Sequence, residues 1–146
     1  PRGTAFTADG ATAFDGNENG GSLTVIDGMK HTVLSTIKIP KAESMPTEPR
    51  PMGVVLSPDG RTLYASLGRA KAIAVFDVQK RQYLRTIENV GARPWGIALS
   101  ADGRKIYTAN GSSADVSVID AETGKVERQI TTGGSPWGVV VAVTPR

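Results

Sequence analysis

An all-β fold of repeated four-stranded units is predicted by three features of the 146-residue sequence. Residues 93–135 repeat residues 50–92 without a gap, at a spacing of 43. Each copy holds short runs rich in β-branched and aromatic residues, bounded by Gly, Asp or Asn, as strands and their turns require. No window carries the apolar period of a helix. A repeat of this length cannot bury its apolar surface alone, so neighbouring copies must stack.

The first unit spans residues 1–49. Its landmarks Asp9-Gly10 and Asp27 lie 50 residues before Asp59-Gly60 and Asp77. The additional seven residues fall in a loop insertion at 40–49, where Pro40, Pro46 and Pro49 exclude regular structure. Units at 50–92 and 93–135 follow. Strands in the third are expected at 96–100, 105–110, 116–120 and 126–131. Asp59-Gly60 and Asp102-Gly103 are hairpin turns, with glycine supplying the positive φ. Residues 121–124 make the next turn. Four antiparallel strands every forty-odd residues describe a propeller blade. The last stretch, 136–146, restarts the unit with PWGVVVAV, and 139–143 is expected to be an innermost strand that closes a ring.

Bulk properties exclude several classes. With no cysteine, the chain has neither disulfides nor a thiol metal site nor a cysteine nucleophile. The net charge of +3 comes from basic residues spread over all units, which describes a solvated surface rather than a nucleic-acid face. The apolar run at 139–143 is far shorter than the roughly 20 residues of a membrane-spanning helix. Pro1-Arg2-Gly3 is in phase with Pro51-Met52-Gly53, so the natural amino terminus is expected upstream.

The pattern P-x-G-[VI]-x-x-[ST]-x-D-G, the Tyr-Thr-Ala-Asn of 107–110 and the Val-Ser-Val-Ile-Asp of 116–120 resemble the YVTN-type seven-bladed β-propeller repeats. The ending TTGGSPWGVVV is similar to that of periplasmic members associated with quinoprotein (PQQ-dependent) alcohol catabolism. The resemblance implies a periplasmic or secreted protein and a partial ring: about three blades and one innermost strand out of seven. The partners it implies are the remaining blades, or a complementary chain. It fixes fold far more tightly than function.

Strand direction separates two rims. In a four-strand meander the Pro-x-Gly corners, the second hairpin loops and the 40–49 insertion share one rim, and the Asp-Gly turns occupy the other. The candidate binding residues are therefore Arg50, Arg93, Trp95, Asn110 and Trp137. Arg2, Met52, Asn17, Glu18, Asn19, Arg69, Lys71 and Ser112 share their rim. Arginine and aromatic side chains at a channel mouth suit an anionic or planar ligand, or a protein partner. Against this stands a structural reading, in which the tryptophans wedge between blades and the arginines form inter-blade salt bridges.

Other chemistry finds little support. Residues 15–20 match the opening D-x-N-x-N-G of a calcium loop, but Ile26 stands where the bidentate glutamate belongs. A polar hairpin is expected there, and no metal site. His31, the single histidine, is expected on the surface near the outer edge. No G-x-S-x-G elbow or triad appears, so no catalytic residue and no cofactor is assigned. Asp27, Asp77 and Asp120 recur in every unit, as scaffold residues do. The leading expectation is a non-catalytic module that binds a protein or small anionic ligand at the rim, ancillary to quinoprotein oxidation. The alternative is a fragment of a lactonase-like, lyase-like or haem-d1-type enzyme whose catalytic groups lie on other blades. Single-stranded nucleic-acid binding is the weakest of the three.

Overall fold

The computed structural model describes residues 1–142. Three four-stranded antiparallel sheets follow one another along the chain, each a meander in sequence order. The first contains β1 (Thr4–Phe6), β2 (Thr12–Asn17), β3 (Ser22–Asp27) and β4 (Thr32–Lys38). The second contains β5 (Val54–Leu56), β6 (Thr62–Ser66), β7 (Ile73–Asp77) and β8 (Gln82–Ile87). The third contains β9 (Pro94–Leu99), β10 (Lys105–Asn110), β11 (Asp115–Asp120) and β12 (Val126–Thr131). One 3₁₀ turn, Gly68–Ala70, is the sole helical element among the described residues. These are three blades of a β-propeller, as the repeat predicts.

The Ser/Thr-x-Asp-Gly motif explains itself in the first hairpin of each blade. The hydroxyls of Thr7, Ser57 and Ser100 donate to the carboxylates two residues on, at 2.5–2.6 Å. Each carboxylate also accepts the backbone N–H of Ala11, Arg61 or Arg104. Gly10, Gly60 and Gly103 then take φ near +70°, which glycine adopts without strain. At the far end of each third strand, Asp27, Asp77 and Asp120 accept backbone N–H groups of the following turn. Their recurrence is turn chemistry.

The blades bury two cores. Phe14, Leu23 and Val25 of the first blade pack on Leu63, Ala65, Leu67 and Phe76 of the second. The opposite face of the second, with Tyr64, Ile73 and Val75, packs on Ile106 and Ile119 of the third. Met45, from the proline-rich insertion, and Ile39, just before it, are buried in the first of these cores, so that loop is an integral part of the blade interface. Tyr107, Val116 and Val118 stand where Tyr64, Ile73 and Val75 stand one blade earlier. Their face is only half-buried, while Tyr64, Ile73 and Val75 are covered.

One sequence expectation needs correction, and one falls partly outside the described residues. The third blade's first strand begins at Pro94 rather than Gly96. Of the closing strand expected at 139–143, residues 139–142 take no strand pairing with the other described residues, and Val143 lies outside them. A strand needs a hydrogen-bonded neighbour, and the described residues include no second strand beside it. The segment nevertheless sits where an innermost strand belongs. Gly96 lies so close to Gly138 that a Cβ on it would fall 2.6 Å from the Gly138 Cα.

Candidate functional site

The Pro-x-Gly corner occurs four times, at Pro1-Arg2-Gly3, Pro51-Met52-Gly53, Pro94-Trp95-Gly96 and Pro136-Trp137-Gly138. Its glycine is needed because successive innermost strands meet backbone to backbone. A Cβ on Gly3 would lie 2.6 Å from the Met52 carbonyl oxygen, and one on Gly53 would lie 2.7 Å from that of Trp95. This approach lines up the four x side chains, Arg2, Met52, Trp95 and Trp137, around one recess of about 150 Å³. Trp95 and Trp137 stack with ring centroids 4.3 Å apart and planes inclined by 29°.

A second cavity, about 160 Å³, opens beside it and adds Glu18, Arg50, Gly68, Arg69 and Arg93 to Arg2, Met52 and the tryptophans. Strand direction therefore placed the corners and second hairpin loops correctly on one rim. Four arginines and one glutamate face this cavity. Arg2 Nε donates to Glu18 Oε2 at 2.6 Å, and that bond, ahead of any other cause, holds the Glu18 carboxyl below the usual range. Arg50 Nη1 reaches Asn19 Oδ1 at 3.3 Å. Among the described residues no carboxylate lies within salt-bridge distance of Arg50, Arg69 or Arg93. The inter-blade ion pair weighed for Arg50 and Arg93 does not form among the described residues.

Arg93 owes its position to an unusual backbone. Its φ of +62° is a left-handed conformation costly for a side chain with a Cβ. The guanidinium carbon lies 4.5 Å from the Trp95 ring centroid, within cation–π range. Gly111 abuts the same indole, since a Cβ there would fall 2.4 Å from Trp95 Cζ3. Arg69 and Arg93 also wall an outer recess of about 310 Å³ shared with Lys71, Ala92 and Ser112.

Asn110 is placed differently from its expected rim position. It is fully buried, with Nδ2 donating to Asp115 Oδ1 at 2.6 Å and to Ser117 Oγ at 2.9 Å. Ser117 Oγ donates in turn to the Val90 carbonyl. A strand-end side chain alternates between faces, and Asn110 falls on the face covered by the second blade. Asn17 forms the matching contacts with Ser22 and Thr24 in the first blade. The loop after Asn17 is the polar hairpin expected, closed by the Gly20 N–H on the Asn17 carbonyl.

Sequence reasoning passed over Ser66. Its buried hydroxyl accepts from the Gly53 N–H at 3.0 Å and donates to the Trp95 carbonyl at 2.7 Å. Gly16 and Ala109 occupy the equivalent positions, so a hydroxyl at only one blade was the available signal.

Comparison with known proteins follows this geometry. A profile of the family described as "Lactonase, 7-bladed beta-propeller" matches residues 1–143. The chain belongs to that family. Comparison with curated proteins gives no significant match. Among solved structures, hydrazine synthase of Kuenenia stuttgartiensis superposes with a TM-score of 0.82 at 27% identity, over 94% of this chain and 38% of that one. A Bacteroides fragilis NCTC 9343 protein provisionally assigned as a 6-phosphogluconolactonase gives 0.77 at 21% identity, over 94% and 40%. The chain thus spans about two-fifths of the length of these structures.

Proposed function

We propose that these blades form the ligand-recognising side of the channel mouth in a lactonase-like propeller that takes a small anionic ligand. The observation behind this reading is the cluster of Arg50, Arg69 and Arg93 around one cavity, without carboxylate partners among the described residues. Guanidinium groups bind carboxylate or phosphate through paired N–H donors. Several around a concave mouth raise the local anion concentration.

The same geometry separates recognition from chemistry. Opening a lactone needs a base to activate water, and a good base titrates near the working pH. Glu18, the carboxylate at this mouth, is held ionised by Arg2 and is a poor base. The base of a lactonase reaction therefore belongs to other blades of the ring, which would also cover the half-buried Tyr107–Val118 face. Membership of the YVTN-type subgroup and a periplasmic or secreted location form part of the same reading. The Arg2–Glu18 pairing equally favours a second one, a mouth that binds an anion without transforming it.

Calorimetric titration of the intact protein with gluconate and with inorganic phosphate tests the proposal, alongside hydrolysis of glucono-δ-lactone in a pH-stat. Binding should weaken at least tenfold in Arg50→Gln/Arg93→Gln, since hydrogen bonds to charged groups contribute about 1.5–3 kcal/mol each. Lactone turnover with a raised KM in that variant supports the enzyme. Binding without turnover supports the second reading. No anion binding, or binding indifferent to both arginines, refutes the site.

A further inference from the structure

The rim opposite the mouth carries a slot of about 540 Å³ between the second and third blades, within the roughly 300–1,000 Å³ of small-molecule sites. Contacts between the two blades form its walls. On the channel side Gly103 abuts Pro58, whose Cδ would lie 2.9 Å from a Cβ on that glycine. On the outer side Arg85 Nη2 donates to the Ala121 and Glu122 carbonyls at 3.0 and 2.8 Å. Both walls belong to these two blades, so the slot does not depend on what flanks them.

Tyr64 closes the floor. It is only 7% exposed, yet its hydroxyl borders the slot and has no hydrogen-bond partner among the described residues. Phe14 holds the equivalent position one blade earlier, so the ring alone suffices for packing. Burial pushes the phenol's pKa up, and the protonated hydroxyl both donates and accepts. A ligand that bonds it satisfies a polar group the fold leaves unpaired.

Some of the charged groups around the slot are already engaged. Lys105 Nζ is held by Asp120 Oδ2 at 3.3 Å and Glu127 Oε1 at 2.6 Å. Asp102 Oδ1 accepts the Ser100 hydroxyl and the Arg104 N–H, and its Oδ2 is free among the described residues. The Glu122 carboxylate and the Arg104 guanidinium form no ion pair there either.

We propose that this slot binds a small polyhydroxyl ligand, the size of a monosaccharide, with Tyr64 bonding one hydroxyl and Asp102, Arg104 and Glu122 the others. Each ligand hydroxyl donates and accepts at once, which matches free carboxylate acceptors standing beside free donors. Charge disfavours an ion: Asp102, Asp120 and Glu122 are offset by Arg104, Lys105 and the Arg85 of the outer wall. The site is separate from the anion-binding mouth, and either can fail without the other.

Amide chemical shifts of the intact protein, followed during titration with D-glucose, D-galactose and myo-inositol, test the proposal, with methylammonium and acetate as ionic controls. At least one polyol should shift the Arg104, Ala121 and Glu122 amides saturably. Tyr64→Phe should weaken that binding about fivefold, the scale of one lost hydrogen bond, and Glu122→Gln should weaken it too. Without ligand, Tyr64→Phe should melt no earlier than the wild type, since the hydroxyl holds nothing in the fold. Phosphate binding at the mouth should be the same in both proteins. No saturable shift at the slot with any of the three polyols, binding indifferent to Tyr64→Phe, or tighter binding of either ion overturns the proposal. An earlier melt of Tyr64→Phe, which would tie the hydroxyl to the fold, overturns it as well.

Discussion

Gly91 lies flat against the carboxamide of Asn110. A Cβ on Gly91 would fall 2.2 Å from Asn110 Nδ2 and 2.4 Å from its Cγ, and the residue's φ of +141° is one that L side chains rarely adopt. Asn110 cannot retreat without releasing Asp115, Ser117 and the linker carbonyl of Val90. Gly91→Ala should therefore destabilise the protein by about 3 kcal/mol, from overpacking plus backbone strain. Gly133→Ala is the control, since its φ is also positive but its surroundings are open. Thermal melting of the two variants should separate them clearly. Equal losses would mean that backbone strain alone, not the Asn110 contact, sets the cost.

The buried hydroxyl of Ser66 ties the second blade to the third at the root of the mouth. Ser66→Ala leaves the Gly53 N–H and the Trp95 carbonyl without that partner, and each orphaned buried group costs about 1–3 kcal/mol. The variant should melt earlier, and the Gly53 amide should exchange faster with solvent. Its tryptophan emission should also shift, because Trp95 loses the bond that fixes its backbone. Unchanged exchange at Gly53 would show that the hydroxyl is not the tie.

The blades were readable because a repeat states the same physical solution several times. Asp-Gly turns, strand-end aspartates and Pro-x-Gly corners each appear at least three times, and each has one local cause. The mouth was partly readable, since strand direction alone assembles Arg50, Arg93, Trp95 and Trp137 there. Asn110 was misplaced because its face depends on register. Equivalent positions show how context decides: Asn17 and Asn110 build polar clusters, whereas Leu67 joins an apolar core with Met45. The apolar version goes with the insertion, whose buried role no local pattern announces. Residues 139–142 pair with nothing among the described residues, since strand propensity without a neighbour makes no sheet.

Gly53 tests whether backbone approach between innermost strands organises the mouth. A Cβ there would lie 2.7 Å from the Trp95 carbonyl oxygen and 3.0 Å from Ile97 Cγ2. Backbone cannot rotate aside as a flexible side chain does, so Gly53→Ala must push the second and third blades apart. A loss of roughly 2–3 kcal/mol is expected from overpacking, with weaker anion binding because Arg50 and Arg93 are displaced from each other. Full binding with normal stability would show that the strands tolerate wider spacing.

Acid sensitivity should centre on the turn carboxylates. Asp120 is held down to about 2 from 3.8, first by the Thr123 backbone N–H, then by the Thr123 hydroxyl and Lys105. Asp59 and Asp102 are also lowered, chiefly by the Ser57 and Ser100 hydroxyls, and Asp9 by that of Thr7. A carboxylate with a depressed folded-state pKa stabilises fully above its unfolded value and loses that contribution as pH falls through the folded one. Melting temperature should therefore stay level above about pH 5 and fall between about pH 4 and 2. Asp120→Asn should lower the melting temperature at neutral pH and make the acid fall shallower, because one of the titrating groups is gone. An acid profile identical to the wild type would remove Asp120 from the set that drives it.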